Sequence, residues 1–172
     1  MDDLPKECVI IIKKTWEKIS NNLFDYSDDI MFRYFEKYPE YLSAFPKFAN
    51  FSLDELRGKA VFRAHGSRII SQISTAVDCL DRDGGFDEIK HFWHRLGDLH
   101  RRKRINKQQL LQLRDTIIAE ILQANIGITP HSIREIKQAW MKFFAIMYAP
   151  AFETIEMMNW KEYFEGREFI DI

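Results

Sequence analysis

Two histidines stand where a helix would ordinarily carry aliphatic side chains. In "KAVFRAHGSRIISQISTAVDCL" (59–80), Phe62, Ile69, Ile73, Ala76, Val77 and Leu80 recur at steps of three and four, the period of one buried helical stripe. His65 falls inside that stripe, three residues after Phe62 and four before Ile69. His100 repeats the pattern behind Ile89, Phe92, Trp93 and Leu96 in "FDEIKHFWHRLGDLH". Burying an imidazole without a partner costs about 1–3 kcal/mol, so each ring needs a neighbour that satisfies it or a ligand to bind. Neutral imidazole is a common nitrogen ligand for metals, iron included. The two rings lie 35 residues apart, on helices joined by one tight turn. An antiparallel V of those helices would aim both into the gap between them. A flat, apolar, metal-carrying group would fill that gap; two separately satisfied core histidines are the plain alternative.

Other reactive residues make weaker cases. His91 and His94 are three residues apart in "HFWH", but a metal pair needs a third ligand, so edge histidines are expected. His131 belongs near a helix start. Cys79, a conceivable thiolate ligand, sits at the end of its helix and is expected to be buried and inert. No C-x-x-C-H occurs, so a group attached through cysteine thioethers is not expected. The run "RRKR" (101–104) is short, in a chain of net charge −1, and is poor support for nucleic-acid binding. No nucleophile–base pair or paired carboxylates stand out as a dedicated active site.

The elements that must position these residues are helical. Apolar residues follow helical periods and strand signals are nearly absent. A first helix is expected over about Lys6–Ile19 and a second over about Asp25–Tyr38. Pro39 then forces a turn into the aromatic corner "PEYLSAFPKFANF". Ser52 and Glu55 form a capping box expected to open the long helix that holds His65. "DRDGG" (81–85) ends it, Asn106 caps a later helix running to about Ile126, and Thr129-Pro130 start the last one. Pro150 should kink or divide that last helix. Seven or eight helices in one domain (1–172) result, with a core over about 8–158 and a C-terminal extension over about 159–172. Hydrophobic residues make up 46% of the chain, with 14 phenylalanines, against 30% charged. That suffices for a soluble core around a small cofactor. The start "MDDLPKECVIII" lacks the pattern of a signal peptide, membrane span or myristoylation site. With only two cysteines, Cys8 and Cys79, a reduced cytoplasmic setting is expected, without membrane or nucleic-acid partners.

"YPEYLSAFPKF", "FRAHGSRIISQIS" and "LGDLH" together resemble three landmarks of the globins, in order and near the right spacing. The resemblance spans roughly residues 8–158. It implies an all-α globin fold around haem b, held without covalent attachment. It also implies roles for particular residues. Pro39 matches the proline opening the short third helix, and Phe45 the phenylalanine packed on the haem, with Phe48 a second aromatic there. His65 matches the distal histidine, Ile69 the aliphatic residue one turn on, and His100 the proximal iron ligand. Trp140 resembles a recurring tryptophan of the final helix. Met31 matches the second-helix position facing the iron, and Leu96, Leu99 and Ile105 belong to the lining around His100. Arg104 and Arg68 match positions from which a cation would meet the haem propionates.

Function turns on the distal side. Met31 offers no hydrogen bond to a bound gas, which leaves His65 as the only evident polar group there. It can close on the iron, giving a bis-histidyl protein that acts in redox or gas (O2, NO or CO) sensing with a gas ligand or redox partner. It can instead stand off and support reversible O2 storage or transport at five-coordinate iron. Haem-centred catalysis, such as NO dioxygenation or nitrite reduction, is a third class.

Overall fold

The computed structural model describes residues 4–127 and 130–156. The elements run α1 (Lys6–Ser20), α2 (Leu23–Lys37), a 3-10 helix (Pro39–Ala44), α3 (Leu53–Leu56), α4 (Ala60–Asp78), α5 (Gly85–Arg102), α6 (Lys107–Ala124) and α7 (Ile133–Glu156). No strand occurs among the described residues. None of these helices is long and apolar enough to cross a membrane. The expected extension beyond residue 158 and the Thr129 cap lie outside the described residues.

Local capping explains several boundaries. Asn106 and Gln109 cap α6 reciprocally: the Gln109 N–H donates to Asn106 Oδ1 at 3.0 Å, and the Asn106 N–H donates to Gln109 Oε1 at 2.8 Å. The Ser52–Glu55 box is present, but it caps only the four-residue α3. Gly58, at φ +82°, then turns the chain before α4 begins at Ala60. The helix carrying His65 therefore starts later than the cap signal implied. A further box, Ser132 with Glu135, opens α7: the Ser132 N–H donates to the Glu135 carboxylate at 2.7 Å and the Glu135 N–H to Ser132 Oγ at 3.3 Å.

Pro150 does not divide the last helix, which runs unbroken to Glu156. Proline removes one backbone donor, but packing against α5 holds this stretch of α7. The contact is close because Gly97 has no side chain. A Cβ there would lie 2.5 Å from the Ala151 carbonyl oxygen. Gly66 serves the crossing of α2 and α4 in the same way, with the Ser27 carbonyl oxygen 2.6 Å from where its Cβ would be. Gly66→Ala and Gly97→Ala should each destabilise the chain by about 1–3 kcal/mol through overpacking. Urea unfolding should show a lower midpoint with an unchanged slope.

Buried residues separate into two clusters. The larger joins α1, α4, α5, α6 and α7 around Trp16, Ile70, Ile117, Trp140 and Phe143. Trp140 is fully buried, and its Nε1–H donates to Thr15 Oγ1 at 2.9 Å. The smaller cluster, Met31, Tyr34, Phe35, Phe48, Leu56 and Phe62, fixes the aromatic corner against α2 and α4. A cleft opens between this corner, α4 and α5.

Candidate functional site

The cleft has a volume of about 510 Å3, within the usual range for a bound cofactor or drug-sized ligand. Its walls are mostly apolar, and both histidines reach it, His65 from α4 and His100 from the last turn of α5. Of the other residues expected here, Met31, Phe45, Phe48, Arg68, Ile69, Leu96, Leu99 and Ile105 also line the cleft.

Arg104 does not. It takes the left-handed position (φ 57°) that ends α5, and Lys103 lines the cleft in its place. Four successive cations look alike in sequence, and the last helical turn sorts them. Asp98 engages Arg101 at 2.5 Å and Arg102 at 2.8 Å, so Lys103 is the member of the run left at the cleft.

His100 is set as a metal ligand by its own helix. Nδ1 lies 2.9 Å from the Leu96 carbonyl oxygen. A carbonyl only accepts, so Nδ1 carries the proton and the lone pair is on Nε2. Burial holds the imidazole pKa below its ordinary value, against the Leu96 bond, which favours the proton, and with Lys103 disfavouring it. The ring is neutral and oriented, as a ligating imidazole must be.

His65 has no hydrogen-bond partner among the described residues. Its ring meets Phe45 edge-on at 5.0 Å and Phe48 at 6.3 Å, and those two phenylalanines are stacked at 5.1 Å. Burial, then the charges of His100, Arg68 and Lys103, push its pKa down to about 4. At neutral pH it is an uncharged imidazole packed on aromatic rings, without the hydrogen bond among the described residues that a structural core histidine would make.

Cys79, His91, His94 and His131 stay out of the cleft lining. Cys79 is 4% exposed at the end of α4. His91 is exposed, while His94 Nδ1 lies 3.2 Å from Thr154 Oγ1 and its Nε2 3.8 Å from Glu153. His131 precedes α7, beside the cap where the Ser132 hydroxyl and backbone N–H hold the Glu135 pKa below its ordinary value. No group of three or more His, Cys, Asp or Glu suited to a metal occurs among the described residues.

Several further residues line the cleft beyond those the sequence pattern marks. Gln72 lies two turns after His65 and Trp93 two turns before His100, a helical spacing that points to both. Tyr148 on α7 and Leu113 on α6 also reach the cleft, but in sequence they are ordinary members of apolar stripes.

Comparison with known proteins agrees with this geometry. The Globin family model matches residues 28–150, and the chain belongs to the globin family. Globin CTT-VI of the midge Chironomus thummi thummi is 27% identical over 153 residues, covering 89% of each chain. The haemoglobin of the botfly Gasterophilus intestinalis is 29% identical with a TM-score of 0.76, over 91% of this chain and 99% of that one. A hexa-coordinate haemoglobin of Drosophila melanogaster, studied with cyanide, is 28% identical with a TM-score of 0.78, over 88% and 94% of the two chains.

Proposed function

We propose that this globin holds haem b without covalent attachment, with His100 as the proximal ligand and His65 as the sixth ligand. It would act in redox or gas sensing rather than in oxygen storage. One observation carries this reading: two neutral imidazoles share an apolar cleft, one with its tautomer fixed by the Leu96 carbonyl and the other packed on Phe45 and Phe48 without a hydrogen-bond partner among the described residues. A porphyrin also suits the remaining walls. Its faces match the apolar lining, and Arg68 and Lys103 are available to its carboxylates. Iron protoporphyrin supplies one-electron redox chemistry and a position for diatomic gases.

The chain's own contribution is to decide access. His100 anchors, while Phe45 and Phe48 wedge the cofactor and exclude water. His65 competes with outside ligands, so a gas binds only the fraction of molecules in which it has swung away. The hexa-coordinate Drosophila relative supports this reading, and two free cysteines suit a reducing cytoplasm. Electron paramagnetic resonance of the ferric protein tests it. A low-spin signal is expected, and a high-spin signal would favour reversible O2 storage instead.

Phe45 provides a second check. Phe→Ala in a core costs about 3–5 kcal/mol, so lost stability alone says nothing about the cofactor. The Phe45→Ala protein should instead release haem to an apo-globin scavenger about tenfold faster, a loss of about 1.4 kcal/mol of contact. An unchanged rate would reduce Phe45 to a packing residue.

A further inference from the structure

A second hollow lies against the cleft on its α4–α5 side. It measures about 140 Å3 and is lined by Ser71, Gln72, Thr75 and Phe92. That is room for a diatomic molecule several times over, since one water needs only about 10–15 Å3. Ser71 and Thr75 are exposed, so the hollow opens to solvent. Its inner limit is the cleft itself, because Gln72 lines both spaces. On α5 the partition is one ring pair thick. Phe92 lines the hollow and Trp93 the cleft, and their rings meet edge-on with centroids 5.9 Å apart.

Gln72 is the movable part of this partition. Its side chain is half-buried and makes no hydrogen bond among the described residues. A partly exposed side chain without a fixed partner changes rotamer within nanoseconds, whereas Ile73, Phe92 and Trp93 are held by packing in the larger core cluster. The two openings also differ in charge. The wide mouth is rimmed by exposed Lys47, Arg68 and Lys103, so an ion passes it among charged side chains and water. No charged residue lines the hollow. An ion crossing the gap between Gln72 and Phe92 would have to shed its hydration, which is costly. O2, CO and NO have little hydration to lose.

We propose that Gln72 gates a second entrance to the cleft, between α4 and α5, that admits small uncharged ligands and refuses ions. This rests on the proposal that the cleft holds haem, but not on His65 as an iron ligand. A gas entering here reaches the inner cleft without crossing the cationic rim of the mouth. Where His65 is on the iron, the gas waits inside the cleft for that ring to leave. Anions keep to the mouth. The two entrances therefore sort ligands by charge, and Gln72 sets the rate for the neutral ones.

The test uses the full haem-loaded chain, checked for its Soret band, and two ligands of different charge. CO binding to the ferrous protein is followed by flash photolysis. Azide binding to the ferric protein is followed by stopped flow in mildly alkaline buffer, where azide is an anion. Thr75→Trp, at an exposed position outside the cleft lining, fills the hollow from its rim. It should slow CO entry about fivefold, a rise of about 1 kcal/mol in the barrier, with the azide rate as in wild type. It should also raise the fraction of CO recaptured before escape. Gln72→Ala, which removes the gate, should speed CO entry. Unchanged CO rates in both variants overturn the proposal. So does an equal slowing of CO and azide in Thr75→Trp, which would mark a general change in the cleft. A wild-type protein with no Soret band refutes the haem reading, whereas normal haem with unaltered CO kinetics refutes the second entrance alone.

Discussion

His100→Ala protein is expected to emerge from purification with little or no haem, while His65→Ala protein keeps it. The asymmetry follows from how each ring is held. The Leu96 carbonyl fixes the His100 imidazole with its lone pair on Nε2, so on the proposed reading a bond to iron would need no rearrangement. His65 packs on the Phe45 and Phe48 rings, and on the proposed reading a bond from it to iron would compete with every other ligand. The measurement is the ratio of Soret to protein absorbance after gel filtration. Circular dichroism run beside it separates lost ligation from lost fold. If His100→Ala keeps a normally bound haem through some residue other than His65, the proximal assignment is wrong.

The second large effect belongs to His65. A site closed about 99% of the time lowers apparent affinity about 100-fold. Replacing His65 by Leu should remove that competition, so stopped-flow CO binding should become faster and tighter by up to about 100-fold. The reduction potential should also rise, since a second imidazole stabilises ferric iron relative to an open position. In an oxygen-storage protein the same change would leave the reduced spectrum as it was. It would mainly speed O2 release, through loss of a hydrogen bond worth about 0.5–1.5 kcal/mol. His65→Gln separates steric from hydrogen-bonding effects, because the amide can still donate.

The site is legible in the sequence wherever a residue violates the chemistry of its own pattern. An imidazole in an aliphatic stripe is such a violation, and it singles out both His65 and His100. The aromatic corner is legible because Pro39 stops one helix and Phe45 and Phe48 follow within a few residues. Asn106 marks α6 because capping is local, carried by four consecutive residues. The pattern misleads where one local signal has two possible consequences. Ser52 and Glu55 do cap a helix, but Gly58 ends it and the chain starts again at Ala60. Pro150 lacks a donor in any sequence. That the helix runs through it depends on a distant Gly97, whose missing side chain lets α5 and α7 approach. Lys103 rather than Arg104 lines the cleft because Asp98 and the final turn of α5 sort four adjacent cations. Tyr148 comes from a helix remote in sequence, where nothing distinguishes it from its apolar neighbours.

The bis-histidyl reading meets its most direct test in the visible spectrum of the dithionite-reduced protein, recorded under argon without added ligand. His65 closed on the iron predicts sharp, split bands, replaced by those of a five-coordinate haem in the His65→Leu variant. A single broad band in the wild-type protein would show an open iron and contradict the assignment of His65 as sixth ligand.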